Sequence, residues 1–346
     1  MSVTTEIQFQ VASVEGASEY AVEGRSQWQL TWRRLRSDKV AVASMIVILV
    51  MVLLAILAPA IAALVHHPAN VAFPNTGENA VGNPVGPGTH GFLLGTDDTG
   101  RDLMVRILYG ARISLFVGLV TTAIGTVAGV TVGMIAGYFG GLIDQILARF
   151  TDAVLAFPYV VLALALVVVF GPSLSVIIGI ISFFAWAGIA RIVRGQTLSL
   201  KEKEYIEAAR SLGAGPFRIM FIDILPNLLA PVLVLATLYI PNAVVFEATL
   251  SYLGLGVQPP TASWGNILAA AQPFYTVAWW YIVFPALALL ITTLAFNLLG
   301  DGIRDAMDPT TERLLAARKR GKRPRRTKPL VLSEDIPGAA LPPAAQ

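Results

Sequence analysis

Glu207-Ala208-Ala209-Arg210-Ser211-Leu212-Gly213, followed by thirteen residues that close in Leu225-Pro226, form a charged island between long apolar runs. Residues 174–193 before it and 228–250 after it are each about 20 apolar residues long, enough to cross a bilayer core of about 30 Å as helix. A chain that lives in a membrane keeps a charged segment of this kind where something in the aqueous phase grips it.

The same criterion, carried outward, gives six spans: residues 40–64, 115–137, 153–170, 174–193, 228–250 and 279–299. Composition agrees. Hydrophobic residues make up 55% of the 346 positions and charged residues 14%, against about 25% charged in soluble domains, and the mean hydropathy is +0.67. The fold class is therefore all-α, a polytopic helical membrane protein with a tail at residues 1–39, a loop at 65–114, a core at 115–310 and a second tail at 311–346. Only Gly171-Pro172-Ser173 separates the third and fourth spans, which makes them antiparallel neighbours. The first apolar run, of about 24 residues, is too long for the 7–15-residue core of a cleaved signal, so Ala58-Pro59-Ala60 is read as a helix end. The absence of cysteine excludes disulfides and thiolate metal sites.

Lys and Arg set the orientation. With the N-terminus inside, 22 of the 25 basic residues fall on the inner side, leaving only Arg101, Arg106 and Arg112 outside. Residues 251–278 carry no charge and suit the outer side. Both termini and the island are expected in the cytosol. Residues 1–25 lack periodicity. Trp28, Trp32 and Leu35 among Arg33, Arg34, Arg36 and Lys39 suit a short helix at the inner headgroup surface. The basic run at residues 318–326 suits anionic lipid, nucleic acid or a plain topology anchor, the last being the simplest. The Pro/Ala-rich end beyond it cannot bury a core.

The island has its own order. Tyr205, Ala208, Ala209 and Leu212 recur at i, i+3, i+4, i+7, and the two alanines leave room for another backbone. Gly213 and Gly215 break this helix, and Pro216 suits the first turn of a second one. Phe217, Met220, Phe221, Ile224 and Leu225 make the apolar face of the second helix, which Pro226 is expected to end. Such a pair serves either as a loop resting on the membrane surface or as an element held by a partner.

Glu-Ala-Ala, three residues, Gly and a closing Leu-Pro resemble the cytosolic coupling motif of bacterial ABC-importer permeases. The matching positions are Glu207, Ala208, Ala209, Gly213, Leu225 and Pro226; position 223, apolar in the general pattern, is Asp223 here. Residues 94–102 with Tyr109-Gly110-Ala111-Arg112, residues 152–158, residues 250–260 with Trp264-Gly265, and Trp32-Arg33-Arg34-Leu35 resemble dipeptide, oligopeptide and nickel permeases of the DppC/OppC type. Together these segments cover residues 30 to about 310. The resemblance implies a type I ABC importer permease fold in a bacterial plasma membrane, paired with a second permease. It implies two ATP-binding cassette subunits that carry ATP and Mg, one of them gripping residues 201–226, and an extracytoplasmic substrate-binding protein. It implies no cofactor and no catalytic residue on this chain. Di- or oligopeptides are the expected cargo, with nickel or another small solute as the alternative.

Other constellations are read beside this one. The chain has no Gly-x-x-x-x-Gly-Lys-Ser/Thr loop, so a P-loop ATPase would be a separate chain, and it has neither a Gly-x-Ser-x-Gly elbow nor a His-Glu-x-x-His pair. A secondary transporter or channel is the competing class and would show midplane charges or broken helices. In residues 95–102, Gly95 and Gly100 permit tight turns, and Asp98 or Asp102 pairs with Arg101 or caps the helix that follows. The other reading makes Asp97, Asp98, Arg101 and Asp102 a contact for the binding protein. Gly125, Gly129, Gly133 and Gly137 form a close-approach stripe, within the chain or at a seam with the partner permease. Glu247, the deepest ionisable residue, and Asn242 are the candidates for lining a pathway, the alternative for Glu247 being a packing hydrogen bond. Asp144 and Asp152 anchor the inner boundary, and Arg191 and Arg194 end the fourth span. His66, His67 and His90 are the only histidines, and no metal site is expected of them.

Overall fold

A computed structural model describes residues 27–307 of the chain. The readings of residues 1–25 and of the tail beyond residue 311 fall outside the described residues. Ten helices follow in order: α1 (Gln27–Ser37), α2 (Lys39–Leu64), α3 (Leu103–Phe139), α4 (Gly141–Ala156), α5 (Tyr159–Phe170), α6 (Leu174–Leu200), α7 (Glu204–Ser211), α8 (Pro216–Tyr252), α9 (Trp264–Ala271) and α10 (Trp279–Met307). Among the described residues there are no strands, only three isolated bridges in the loop before α3. Helices α2, α3, α6, α8 and α10 are each long and apolar enough to cross a membrane; α4 and α5 pass the same test only as a bent pair, which gives five crossings, or six if that pair is counted as one span. The chain is a multi-pass helical membrane protein.

Three boundaries correct the sequence reading. Residues 153–170 are not one helix: α4 and α5 meet at 86° across Phe157-Pro158. Pro158 has no N–H to give, and the residue before a proline is pushed to extended backbone; Phe157 takes φ −76°, ψ 135°. Alone, α5 spans only ~18 Å at 1.5 Å per residue. The second span starts at Leu103, well before the apolar run, because Asp102 caps it by accepting from the Val105 N–H at 3.1 Å. The fourth span runs on to Leu200. Arg191 and Arg194 do not end it, because Asp152 and Asp144 of α4 pair with them and neutralise their charge.

The glycine stripe lies within the chain, against α6. A Cβ added at Gly125 would stand 2.6 Å from Ala185 Cβ, at Gly129 2.7 Å from Ile189 Cβ, at Gly133 2.5 Å from Ala190 O and at Gly137 2.6 Å from Thr197 Cβ. In lipid no hydrophobic force drives helix against helix, so this approach at glycine distance is what dispersion contacts require. Gly133→Leu drives its side chain into a backbone carbonyl that cannot move alone. The expected loss is about 1–3 kcal/mol, read as a lower melting temperature of the detergent-purified chain; an unchanged melt would mean that the α3–α6 contact does not need glycine.

At the other edge of the bundle, α1 rests on the end of α10. Leu35 is buried with Ala41 and Ala306, and Arg34 donates to the Ala306 carbonyl at 3.3 Å. At the end of the molecule that holds the long loops, the uncharged residues 251–278 contain a helix the sequence reading did not mark. Ser263 and Asn266 form a reciprocal capping box at the start of α9. The buried Trp264 indole donates to the Ile107 carbonyl at 3.1 Å and ties α9 to α3.

Candidate functional site

The island of residues 204–226 folds at the end of the bundle away from the long loops. Glu204 and Glu207 sit in the first turn of α7 and Arg210 in its last, each where the helix dipole favours its sign. Gly213, at φ +83°, takes the left-handed position that ends the helix. Its N–H donates to the Arg210 carbonyl at 2.9 Å, and the Ala214 N–H donates to the Ala209 carbonyl at 3.0 Å, a Schellman closure. Pro216 opens α8, as expected.

Pro226 does not end that helix. Residues Ile219–Ile224 widen to i→i+5 bonding, and the Leu225 N–H reaches back to the Met220 carbonyl. The wider turn absorbs the N–H that Pro226 lacks, so α8 runs unbroken into its span.

The inward face of the island also differs from the expected one. Ile206 is fully buried against Met134 of α3, Ile189 and Val193 of α6, and Ile219, Met220, Ile224 and Leu228 of α8, with Ala209 at its edge. Arg210 lies 5.5 Å over the Tyr138 ring at the end of α3. Tyr205, Ala208 and Leu212 of the predicted face, and Phe217 and Phe221 of the second, instead point out; Leu212 is 89% and Phe217 72% exposed. Glu207, Gly213 and Pro226 are exposed, while Ala209, Asp223 and Leu225 are half-buried. Ile206, the largest aliphatic residue between Glu204 and Glu207, is the signal that would have marked the inward face.

Midway along the bundle an open cavity of about 400 Å³ is lined by Tyr159, Phe184, Tyr239, Asn242, Phe246 and Thr249 among others. Asn242 lines it, with its Nδ2 donating to the Leu238 carbonyl at 2.8 Å. Glu247 does not. It is fully buried and accepts from Ser114 Oγ and Ser251 Oγ, both at 2.7 Å. It makes the packing contact between α3 and α8. The structure therefore separates these two candidates, and the aromatic residues of the cavity were not singled out from sequence.

The loop before α3 is built around Asp97. Its carboxylate accepts from the Thr99 N–H, the Thr99 hydroxyl, the Arg101 N–H and Arg101 Nε at 2.7–3.0 Å, and Arg106 Nε lies 3.0 Å from Oδ2. Asp102 caps α3 and pairs with His67 Nδ1 at 2.7 Å, while the His67 ring stacks on Phe92. Asp98 accepts from the Tyr281 hydroxyl of α10 at 2.9 Å. Gly95 and Gly100 have positive φ, as the turns demand. Asp97 and Asp102 are buried, and of the four candidates for an outer contact only Asp98 and Arg101 keep some surface. Asp97→Ala leaves Arg106 buried without its counter-charge. The expected cost is about 3–5 kcal/mol, seen as early melting and as proteolysis confined to residues 65–102; a variant that resists both would make Asp97 dispensable. No group of three His, Asp or Glu that could hold a metal ion occurs among the described residues.

Five long apolar helices, a bent pair and an amphipathic helical turn packed at one end of the bundle define a multi-pass membrane protein. The family model for the binding-protein-dependent transport system inner membrane component matches residues 129–313, and that for the N-terminal TM domain of oligopeptide transport permease C matches residues 26–78. The chain belongs to the binding-protein-dependent transport system inner membrane component family. It is 42% identical over 296 residues to the oligopeptide transport system permease protein OppC of Haemophilus influenzae, covering 84% of this chain and 91% of that one. It is 39% identical over 289 residues to the dipeptide transport system permease protein DppC of Bacillus subtilis, covering 83% and 87%. Among solved structures, the MetNI methionine ABC transporter in an inward facing conformation matches 60% of this chain and 98% of its own at 22% identity, with a TM-score of 0.49.

Proposed function

We propose that this chain is the permease subunit of an ATP-driven importer of di- or oligopeptides and that residues 201–226 are where ATP-binding subunits grip it. The observation that carries this reading is the construction of the island. Ile206 shares one buried cluster with residues of α3, α6 and α8 and the Gly213 closure ends α7 firmly, while Leu212, Phe217 and Phe221 stand exposed. An amphipathic loop that merely lay on the membrane would need no such rigid seat. A push on the tip is carried directly into three spans.

In this reading the basic excess puts the island and both termini in the cytosol, and the residue 65–102 loop faces a binding protein outside. A second permease supplies the other half of the path, and ATP with Mg acts on the cassette subunits. The Asn242 cavity, with aromatic rings, an amide and hydroxyls and no carboxylate, amine or imidazole among the named residues, suits the amide-rich backbone of a peptide better than a metal ion, which asks for convergent ligands. The names of the relatives point to the same cargo.

Gly213→Pro cannot adopt the positive φ that closes α7. Together with Glu207→Lys, it is expected to abolish co-purification of the ATP-binding subunits and ATP-driven uptake while the chain still inserts. If both association and uptake persist, the island is not the grip. For the cargo, vesicles holding the assembled importer are expected to accumulate labelled tripeptide and not nickel; the reverse result would move the chain to the metal branch.

A further inference from the structure

The loop end of the molecule holds a second open cavity, of about 430 Å³, which lies within the range of about 300–1,000 Å³ typical of small-molecule sites. Asn70 of the loop before α3, Tyr109, Arg112 and Phe116 of α3, Leu174 at the start of α6 and Thr261 of the loop before α9 line it. Arg112 is the one charged side chain on its wall. The two other arginines of this end are committed, Arg101 and Arg106 both lying against Asp97. Arg112 has neither a hydrogen bond nor an ion pair among the described residues. Its guanidinium carbon stands 5.7 Å over the Tyr109 ring, and the side chain is exposed. The guanidinium thus has an aromatic ring beside it and an edge of paired N–H donors that no described residue engages.

That edge matches a planar carboxylate, which takes two parallel N–H···O bonds from a guanidinium. The amide of Asn70 and the hydroxyls of Tyr109 and Thr261 stand on the same wall, where the last peptide units of a ligand can bond to them. We propose that this cavity is a carboxylate subsite that holds the C-terminal carboxylate of a peptide cargo at the entrance from the loop side. The proposal rests on the peptide-import reading and adds to it a residue that selects for the free C-terminus.

The importer, assembled with its partner subunits and binding protein, is reconstituted in vesicles of phosphatidylcholine alone. Uptake of a labelled tripeptide and of its C-terminal amide is measured for the wild type, Arg112→Gln and Arg112→Lys, each expressed per loaded binding protein. Wild type is expected to prefer the acid. In Arg112→Gln the acid-to-amide ratio falls about tenfold, the scale of one lost charge-assisted hydrogen bond, and Arg112→Lys retains part of the preference. An unchanged ratio overturns the subsite. A parallel fall of acid and amide, with lost stimulation of ATP hydrolysis by the binding protein, overturns it in favour of a docking contact. An effect of Arg112 seen only when phosphatidylglycerol is added overturns it in favour of a lipid headgroup. Failure of the wild type to take up either peptide removes the cargo reading itself, which sets that failure apart from the others.

Discussion

The approach of α3 to α6 along Gly125, Gly129, Gly133 and Gly137 is the contact on which the other parts stand. Four missing side chains let two spans touch along most of their length. One end of this seam carries the Asp102 cap and the loop folded on Asp97. The other end presents Met134, Ile189 and Val193, the floor on which Ile206 sits. Wider spacing of α3 from α6 would remove that floor, and the island would lose its attachment to the spans.

Paired polar and charged groups, some buried and some at the surface, hold the remaining alignments. Asp97 sets the loop by answering two arginines and three further donors. Glu247 joins α3 to α8 through two serine hydroxyls. Arg191 and Arg194 tie α4 to α6. In a low-dielectric setting such groups are costly when single and orienting when paired, so they fix rotation and register where apolar faces are nearly featureless. Under the proposed reading, a transporter needs this: a push at the island must move whole helices without letting them slip.

Much of the fold was legible because its signals are local. The length of the apolar runs, the capping aspartate before α3, the glycine stripe and the Gly213 break depend on residues close in sequence. The misses share a different cause. Pro158 and Pro226 look alike as helix breakers. One bends the chain by 86° and the other is absorbed, because residues Ile219–Ile224 have a packed face to hold a widened turn and Phe157 has none. The faces of α7 were misassigned because periodicity finds an apolar stripe without saying what lies opposite. Here Ile206 found a floor, and Tyr205 and Leu212 did not.

The sequence by itself determined the class: a chain this apolar, with runs of this length and basic residues so unevenly shared, can satisfy its backbone only as helices across a membrane. It also marked the segments that carry the family's motifs. Only the tertiary structure decided their roles. It turned Glu247 into a packing contact while leaving Asn242 on a cavity wall, paired Arg101 and Arg106 while leaving Arg112 open, and chose which face of the island to bury. The physical reason is that burial and pairing are properties of the surroundings, which helices distant in sequence supply.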